Sequence, residues 1–364
     1  MEPNNSHPSH NQAGFSLVEI MVGMVIGLLA TLVIVQVISS NEAQKRTTTG
    51  TSDAQTNGGI AIFNIERELQ FAGYPLTPAT NSPLHCSTLN INGVADASSY
   101  KIISPVIITD GGGNSDIITI RYGSTLAGAV PNLIKNNAIG QSAPLATSFG
   151  CSPNDTTLIT DVLANTCNIS NAIAVDPGSA VATPPVLASV SLTNTTGVAP
   201  NSYLACLGSW NEVTYRINNG NLEKRVSTPY SNPSVINGFI PVVENIVNLQ
   251  AQYGITATAS TNQVSLWVDA TGTWADTALT VADRNRIKAI RFVVVTRNSQ
   301  METTNVTAGC SAALPNGPCA WTGTASSPAP TIDLSADANW QKYHYRVYET
   351  IIPLRNVIWS KGML

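Results

Sequence analysis

The stretch Ala13-Gly14-Phe15-Ser16-Leu17-Val18-Glu19-Ile20-Met21-Val22-Gly23-Met24-Val25-Ile26-Gly27 decides how the rest of the chain is read. No charge occurs from Ile20 to Val35, yet a carboxylate stands near the start of the apolar run, just after a Gly-Phe pair. A carboxylate left alone in lipid is costly, so Glu19 calls for a partner. A free amine in a low-dielectric helix bundle is its natural counterpart. Phe15 to Ile38 is about 24 residues, and at ~1.5 Å per residue it reaches roughly 36 Å, enough to cross a bilayer.

The flanks of this segment sharpen the reading. Residues 1–14 are short and polar, with no apolar region of their own, so they are not an ordinary secretory signal. The apolar run lies after the Gly-Phe bond and is kept if the chain is cut there. Cleavage pair, glutamate and apolar run together resemble the N-terminus of type IV prepilins and of the related type II secretion pseudopilins. That resemblance implies a cut at Gly14–Phe15 by a prepilin peptidase, which also methylates the new amine of Phe15. It further implies that Glu19 neutralises a subunit's N-terminal ammonium during assembly. The leader departs from the family pattern in carrying no Lys or Arg; the first basic pair, Lys45-Arg46, follows the apolar run.

Beyond the apolar run the helix is expected to continue. Ser39 to Asn57 is polar and rich in Thr, a weak helix former, and Gly58-Gly59 is a place where it would bend or break. Ile62, Ile65, Leu69 and Ala72 then recur at steps of three and four, with Glu66, Arg67, Glu68 and Gln70 between them. Gly73 and Pro75 end the helix. Its apolar stripe needs a sheet to pack on.

The remainder of the chain reads as that sheet. Only 11% of residues are charged, where about a quarter is usual, and the net charge is −4. The sequence presents no basic stripe, so no nucleic-acid binding through phosphates is expected of this chain. Strands are expected at Tyr100 to Ile108, Asp116 to Tyr122, Gln263 to Val268, Arg286 to Thr296 and Lys342 to Pro353. Gly111-Gly112-Gly113 reads as a turn. Glu212 to Asn218, Asn219-Gly220 and Asn221 to Val226 spell a hairpin, because Asn-Gly suits a type I′ turn. Residues 79–99, 126–198 and 301–338 are irregular, and the sequence leaves room for an inserted subdomain at about 126–198.

Four blocks narrow the resemblance to the PilW family of minor pilins. Phe63 to Tyr74 is similar to the end of that family's long helix, and Val243 to Gly254 to its internal helix-to-strand segment, in which Ile246 and Leu249 would anchor a short helix. Ile287 to Arg297 resembles its next core strand, and Tyr345 to Asn356 its C-terminal signature. The family often has an acidic loop after the Tyr-Gly pair; Ile255 to Asn262 has no acid, which argues against calcium there. The resemblance implies an α+β, pilin-like fold. A long N-terminal helix, transmembrane in its first half and amphipathic in its second, packs on an antiparallel head with disulfide-bearing loops. The expected boundaries are a leader over 1–14, a membrane half-helix over 15–38, an extracytoplasmic half over 39–74 and a head over 75–364.

Cys86, Cys151, Cys167, Cys206, Cys310 and Cys319 all follow the stem, as expected of disulfides in an exported head. Proximity along the chain joins Cys310 to Cys319 and Cys151 to Cys167, leaving Cys86 for Cys206. No CxxC pair, GxSxG elbow, phosphate loop or dinucleotide fingerprint occurs. After removal of a leader only His85 and His344 would remain. No catalytic, cofactor-binding or metal-binding residue is therefore expected, and no enzyme activity.

The family resemblance implies a minor pilin that helps initiate and assemble a type IV pilus, near its tip, because so large a head would crowd a repeating filament. Implied partners are the prepilin peptidase/N-methyltransferase, other minor pilins, the major pilin, the inner-membrane assembly platform and the lipid bilayer. The implied location is the inner membrane with a periplasmic head, then the pilus, with twitching motility as a consequence of the filament. A minor pseudopilin of type II secretion and a pilus-tip adhesin are the alternatives.

Overall fold

The computed structural model describes residues 14, 16–76, 86, 88–95, 103–161, 166–179, 181–182, 185–231 and 234–359. The leader up to position 13, Phe15 and His85 lie outside them. The chain divides into two compact units, Met1–Thr51 and Ser52–Leu364.

One helix, α1 (Leu17–Phe71), opens the chain. It runs unbroken through Gly58-Gly59, contrary to the expected bend. An ideal Cβ on Gly58 would overlap the ring of Tyr348, whereas one on Gly59 would meet nothing. Gly58 is therefore a point of close approach between helix and sheet. Ala54, Gly58, Ala61, Ile65, Leu69 and Ala72 form the buried stripe, at helical steps of three and four. Gly73 ends the helix at φ 77°, and its N–H donates to the carbonyl of Arg121 over 2.8 Å.

The chain next lays down β1 (Thr88–Ile91), β2 (Val94–Ala95), β3 (Val106–Thr109), β4 (Ile117–Gly123), β5 (Asn132–Leu133), β6 (Ser142–Leu145), β7 (Thr156–Asp161), β8 (Thr166–Asp176), β9 (Ala188–Leu192) and β10 (Tyr203–Cys206). There follow β11 (Trp210–Asn218), β12 (Asn221–Thr228), β13 (Val235–Ile236), β14 (Ile240–Glu244), β15 (Ile246–Ile255), β16 (Leu266–Val268), the short helix α2 (Val281–Arg286), β17 (Ile287–Arg297), β18 (Tyr345–Pro353) and α3 (Arg355–Trp359). The fold is α+β.

Three sheets result. The first has the order β2-β1-β8-β7-β10-β5, with β9 joined to β8 and β6 to β9. Its pairings are antiparallel except β1 with β8, which is parallel. It occupies most of the region read as irregular from sequence, and part of it has an apolar core of its own around Leu145, Ile159, Val190, Leu192 and Leu204. The second is β13-β12-β11-β4-β3, with β14 also on β12. Its β11–β12 hairpin turns at Asn219 (φ 49°) and Gly220 (φ 73°), both left-handed as a type I′ turn requires. The third is β16-β15-β17-β18, all antiparallel.

The buried stripe of α1 shares one core with the second and third sheets, among them Ile108, Ile118, Tyr215, Leu249, Tyr253, Ile290 and Phe292. Asp116 joins those sheets. Its N–H donates to the carbonyl of Leu249, while its carboxyl oxygens accept from the N–H groups of Gly111 (2.8 Å) and Ala251 (2.7 Å). Burial pushes this carboxyl up to about 7, against the opposing pull of those two donors.

Two further expectations are corrected. Ile246 and Leu249 lie on strand β15 and not on a short helix. Their three-residue spacing comes from an irregularity in the ladder between Ile246 and Asn248, after which Leu249, Ala251 and Tyr253 alternate with Asn248, Gln250 and Gln252. The alternating polar residues are buried too, and their side-chain amides donate to the carbonyls of Gly113, Asn114 and Pro328 in turn. The cysteine pairing also differs. Disulfides join Cys86–Cys167, Cys151–Cys206 and Cys310–Cys319, with Cα–Cα distances of 5.7, 5.1 and 4.7 Å. The antiparallel register of β7 and β8 sets Cys167 opposite Thr160, far along the strand from Cys151. The parallel β1–β8 pairing, which aligns Leu89 with Cys167, brings Cys86 to it instead.

Candidate assembly site

At the N-terminal end the carbonyl of Ser16 starts α1, accepting from the N–H groups of Glu19 (3.0 Å) and Ile20 (3.2 Å). Glu19 thus lies in the first helical turn, where unpaired N–H groups and the helix dipole favour a negative charge. Gly14 is exposed, with nothing within 4 Å of the place a Cβ would occupy.

From Leu17 to Glu42 the helix is apolar on every side, with a mean hydropathy of 2.6 and no buried residue in that window. Leu17, Met24 and Val35 are all exposed. A helix with no polar face finds its complement in lipid or among other apolar helices. Length and apolar character suffice for a membrane crossing. Between Leu17 and Glu42, Glu19 is the single ionisable side chain. The arrangement can therefore do one chemical thing: present a fixed carboxylate to a cation inside an apolar assembly.

In the head, a second ionic element pins the stem. Sequence reading set Glu68 among the polar residues between the stripe positions. In the structure it is 3% exposed and faces the second sheet. Its two oxygens accept from Lys224 Nζ (2.6 Å) and the hydroxyl of Tyr122 (2.7 Å). Burial, with the adjacent carboxylate, pushes the Tyr122 hydroxyl upward, which keeps it a donor. The hydroxyl of Tyr215 donates to the carbonyl of Asn64 (3.1 Å), and the Asn57 amide to the carbonyl of Glu244 (3.1 Å). Glu68 adjoins Leu69 in the stripe, and that position was the only sequence signal of its burial. Nothing in the sequence pointed to Lys224 as its partner. Among the described residues no group of three or more His, Cys, Asp or Glu side chains is placed to hold a metal.

Comparison with known proteins follows the same division of the chain. Residues 216–356 match the family Type IV Pilus-assembly protein W, and residues 9–35 match the Prokaryotic N-terminal methylation motif. The resemblance read from the sequence is borne out over both stretches. No curated protein matches. Among solved structures, a type IV-like pilin from Thermus thermophilus aligns over 83% of this chain and 96% of its own, at 9% identity and a TM-score of 0.33. So slight a likeness carries no weight beside the two sequence matches.

Proposed function

Taking as premise that residues 216–356 are PilW-type pilus-assembly sequence behind a methylation-type N-terminus, we propose that this chain is a minor pilin of a type IV pilus. It is made with a leader over 1–14 and cut by the prepilin peptidase at Gly14–Phe15, and the amine of Phe15 is methylated. Residues 15–38 hold it in the inner membrane, residues 39–74 continue the stem, and the head from 75 onward folds and oxidises in the periplasm. There it joins other minor pilins and the assembly platform in starting a filament, and stays at or near the tip. It is a structural subunit and carries out no reaction itself.

One observation carries this reading. The helix Leu17–Glu42 is apolar all round, and its first turn holds the carboxylate of Glu19. An ordinary anchor has no use for that charge, whereas an assembly of helices with free N-terminal amines does.

The test is peptide mass spectrometry of filaments sheared from cells, beside piliation of a deletion strain. Peptides of the head in sheared filaments, substoichiometric to the major pilin, with few or no pili in the deletion strain, are expected. Normal piliation without the chain, coupled to a loss of protein secretion, would transfer it to a secretion pseudopilus. Normal piliation and normal secretion would overturn both readings.

A further inference from the structure

A pocket of about 290 Å³ opens on the outer face of the third sheet, lined by Arg291, Trp321, Glu349, Thr350 and Ile351. None of these residues takes part in pinning the stem, and the pocket is independent of the pilin reading. Arg291 is 9% exposed. Its guanidinium lies over two indoles, 4.9 Å from the centre of Trp267 and 4.3 Å from that of Trp321. Its hydrogen bonds go to uncharged acceptors, the side-chain oxygen of Gln252 (2.8 Å from Nε) and the carbonyl of Pro328 (3.4 Å). Gln252 is held in turn, its amide donating to Asp269 (2.6 Å) and to Pro328 (3.0 Å). The cation is therefore fixed in place without a carboxylate bonded to it.

The strand register sets the opposite charge nearby. Arg291 pairs with Ile351 and Val293 with Glu349, so Arg291 and Glu349 are diagonal neighbours on one face. Such neighbours stand about 7 Å apart. Trp321 comes from the long connection between β17 and β18, and Ile351 in the same lining is well exposed. The pocket thus offers an indole, a fixed donor and a carboxylate acceptor on one face of the sheet.

We propose that this pocket binds a neutral saccharide, one ring lying against Trp321, with hydroxyls accepting from Arg291 and donating to Glu349. The chemistry selects that class. A simple anion would meet Glu349, and a simple cation would meet Arg291. A polyol satisfies both charges through hydrogen bonds, and its C–H face suits an indole.

Full-length protein in lauryldimethylamine oxide, a detergent without a sugar headgroup, tests this by saturation-transfer NMR. The probes are methyl β-glucoside, methyl α-galactoside, N-acetylglucosamine, N-acetylneuraminate and glycine. At least one neutral sugar should receive transfer, and its affinity should fall about tenfold in Glu349→Gln. Trp321→Ala should abolish transfer. Glu349 is on the rim, so its replacement spares the fold, and circular dichroism checks both variants. No transfer to any neutral sugar, equal affinity in E349Q, or tighter binding of N-acetylneuraminate or glycine than of every neutral sugar would each overturn the proposal.

Discussion

The ring of Tyr348 on β18 fills the space beside Gly58 of α1 that a side chain there would need. Helix and edge strand meet at that point with no room for a methyl group. Its neighbour Gly59 faces open space. The two glycines, adjacent in sequence, therefore answer oppositely to the same substitution. Gly59→Ala should stabilise the head by about 0.5–1 kcal/mol, the ordinary gain of replacing glycine within a helix. Gly58→Ala should cost about 1–3 kcal/mol, because displacing Tyr348 outweighs that gain. Thermal denaturation of the two variants decides it; equal shifts would mean that the contact bears no load.

Glu68 and Lys224 should behave as a coupled buried pair. Lys224→Met leaves the carboxylate with Tyr122 as its single charge-neutral donor and should cost about 3 kcal/mol. Glu68→Gln removes the charge that Lys224 answers. The double variant should then lose clearly less than the sum of the two single losses. Additive losses in urea titrations would show that the pair is solvated in practice.

Asp116 should make stability depend on pH with a definite sign. Its folded value, about 7, lies above the ordinary carboxyl value of 3.8. The folded chain thus takes up a proton between those limits that the unfolded chain does not hold. The resulting stabilisation is present below about pH 4 and is lost as pH rises through 7. Asp116→Asn cannot titrate, so the stability of the native protein minus that of D116N should shrink from pH 5 to pH 8. A pH-independent difference would place the proton elsewhere.

Much of this architecture was legible because it is local. The apolar run, the stem stripe, the Asn219-Gly220 turn and the Ile287–Arg297 strand each follow from periodicity or from a turn residue's backbone freedom. What escaped depends on register. The spacing of Ile246 and Leu249 imitates a helix because one residue is bulged out of a strand. The pairing of Cys86 with Cys167 follows from a parallel contact between β1 and β8, far apart in the chain. The burial of Glu68 depends on a lysine 156 positions away. Residues 126–198 looked irregular because their strands are short and rich in Ser, Thr and Asn, which carry little apolar alternation.

The disulfides should divide by loop size. Cys86–Cys167 and Cys151–Cys206 close separations of 81 and 55 residues, and Cys310–Cys319 one of 9. Chain entropy then assigns about 4.5 kcal/mol to the first, about 4.2 kcal/mol to the second and about 2.6 kcal/mol to the third. Peptide mapping without reduction should recover these three links. Replacing Cys86 and Cys167 together by Ser should lower the thermal midpoint more than replacing Cys310 and Cys319. Recovery of a Cys151–Cys167 peptide from native protein would contradict the register of β7 and β8.

Glu19→Ala should separate membrane insertion from assembly. In lipid alone the carboxylate is a burden, so its loss leaves insertion intact or eases it. In an assembly of stems it meets an N-terminal ammonium, and its removal leaves that amine unpaired in an apolar setting. The head should fold normally, since Glu19 belongs to the other compact unit of the chain. Crosslinking to the other minor pilins, measured beside membrane content and leader cleavage at equal protein levels, reads the steps separately. Association should fall while content and cleavage hold. Glu19→Gln should fail like the alanine variant, because charge and not volume is the requirement; if E19Q assembles normally, a hydrogen bond suffices and the ion pair is not the operative contact. If insertion is lost instead, the residue acts at an earlier step than assembly.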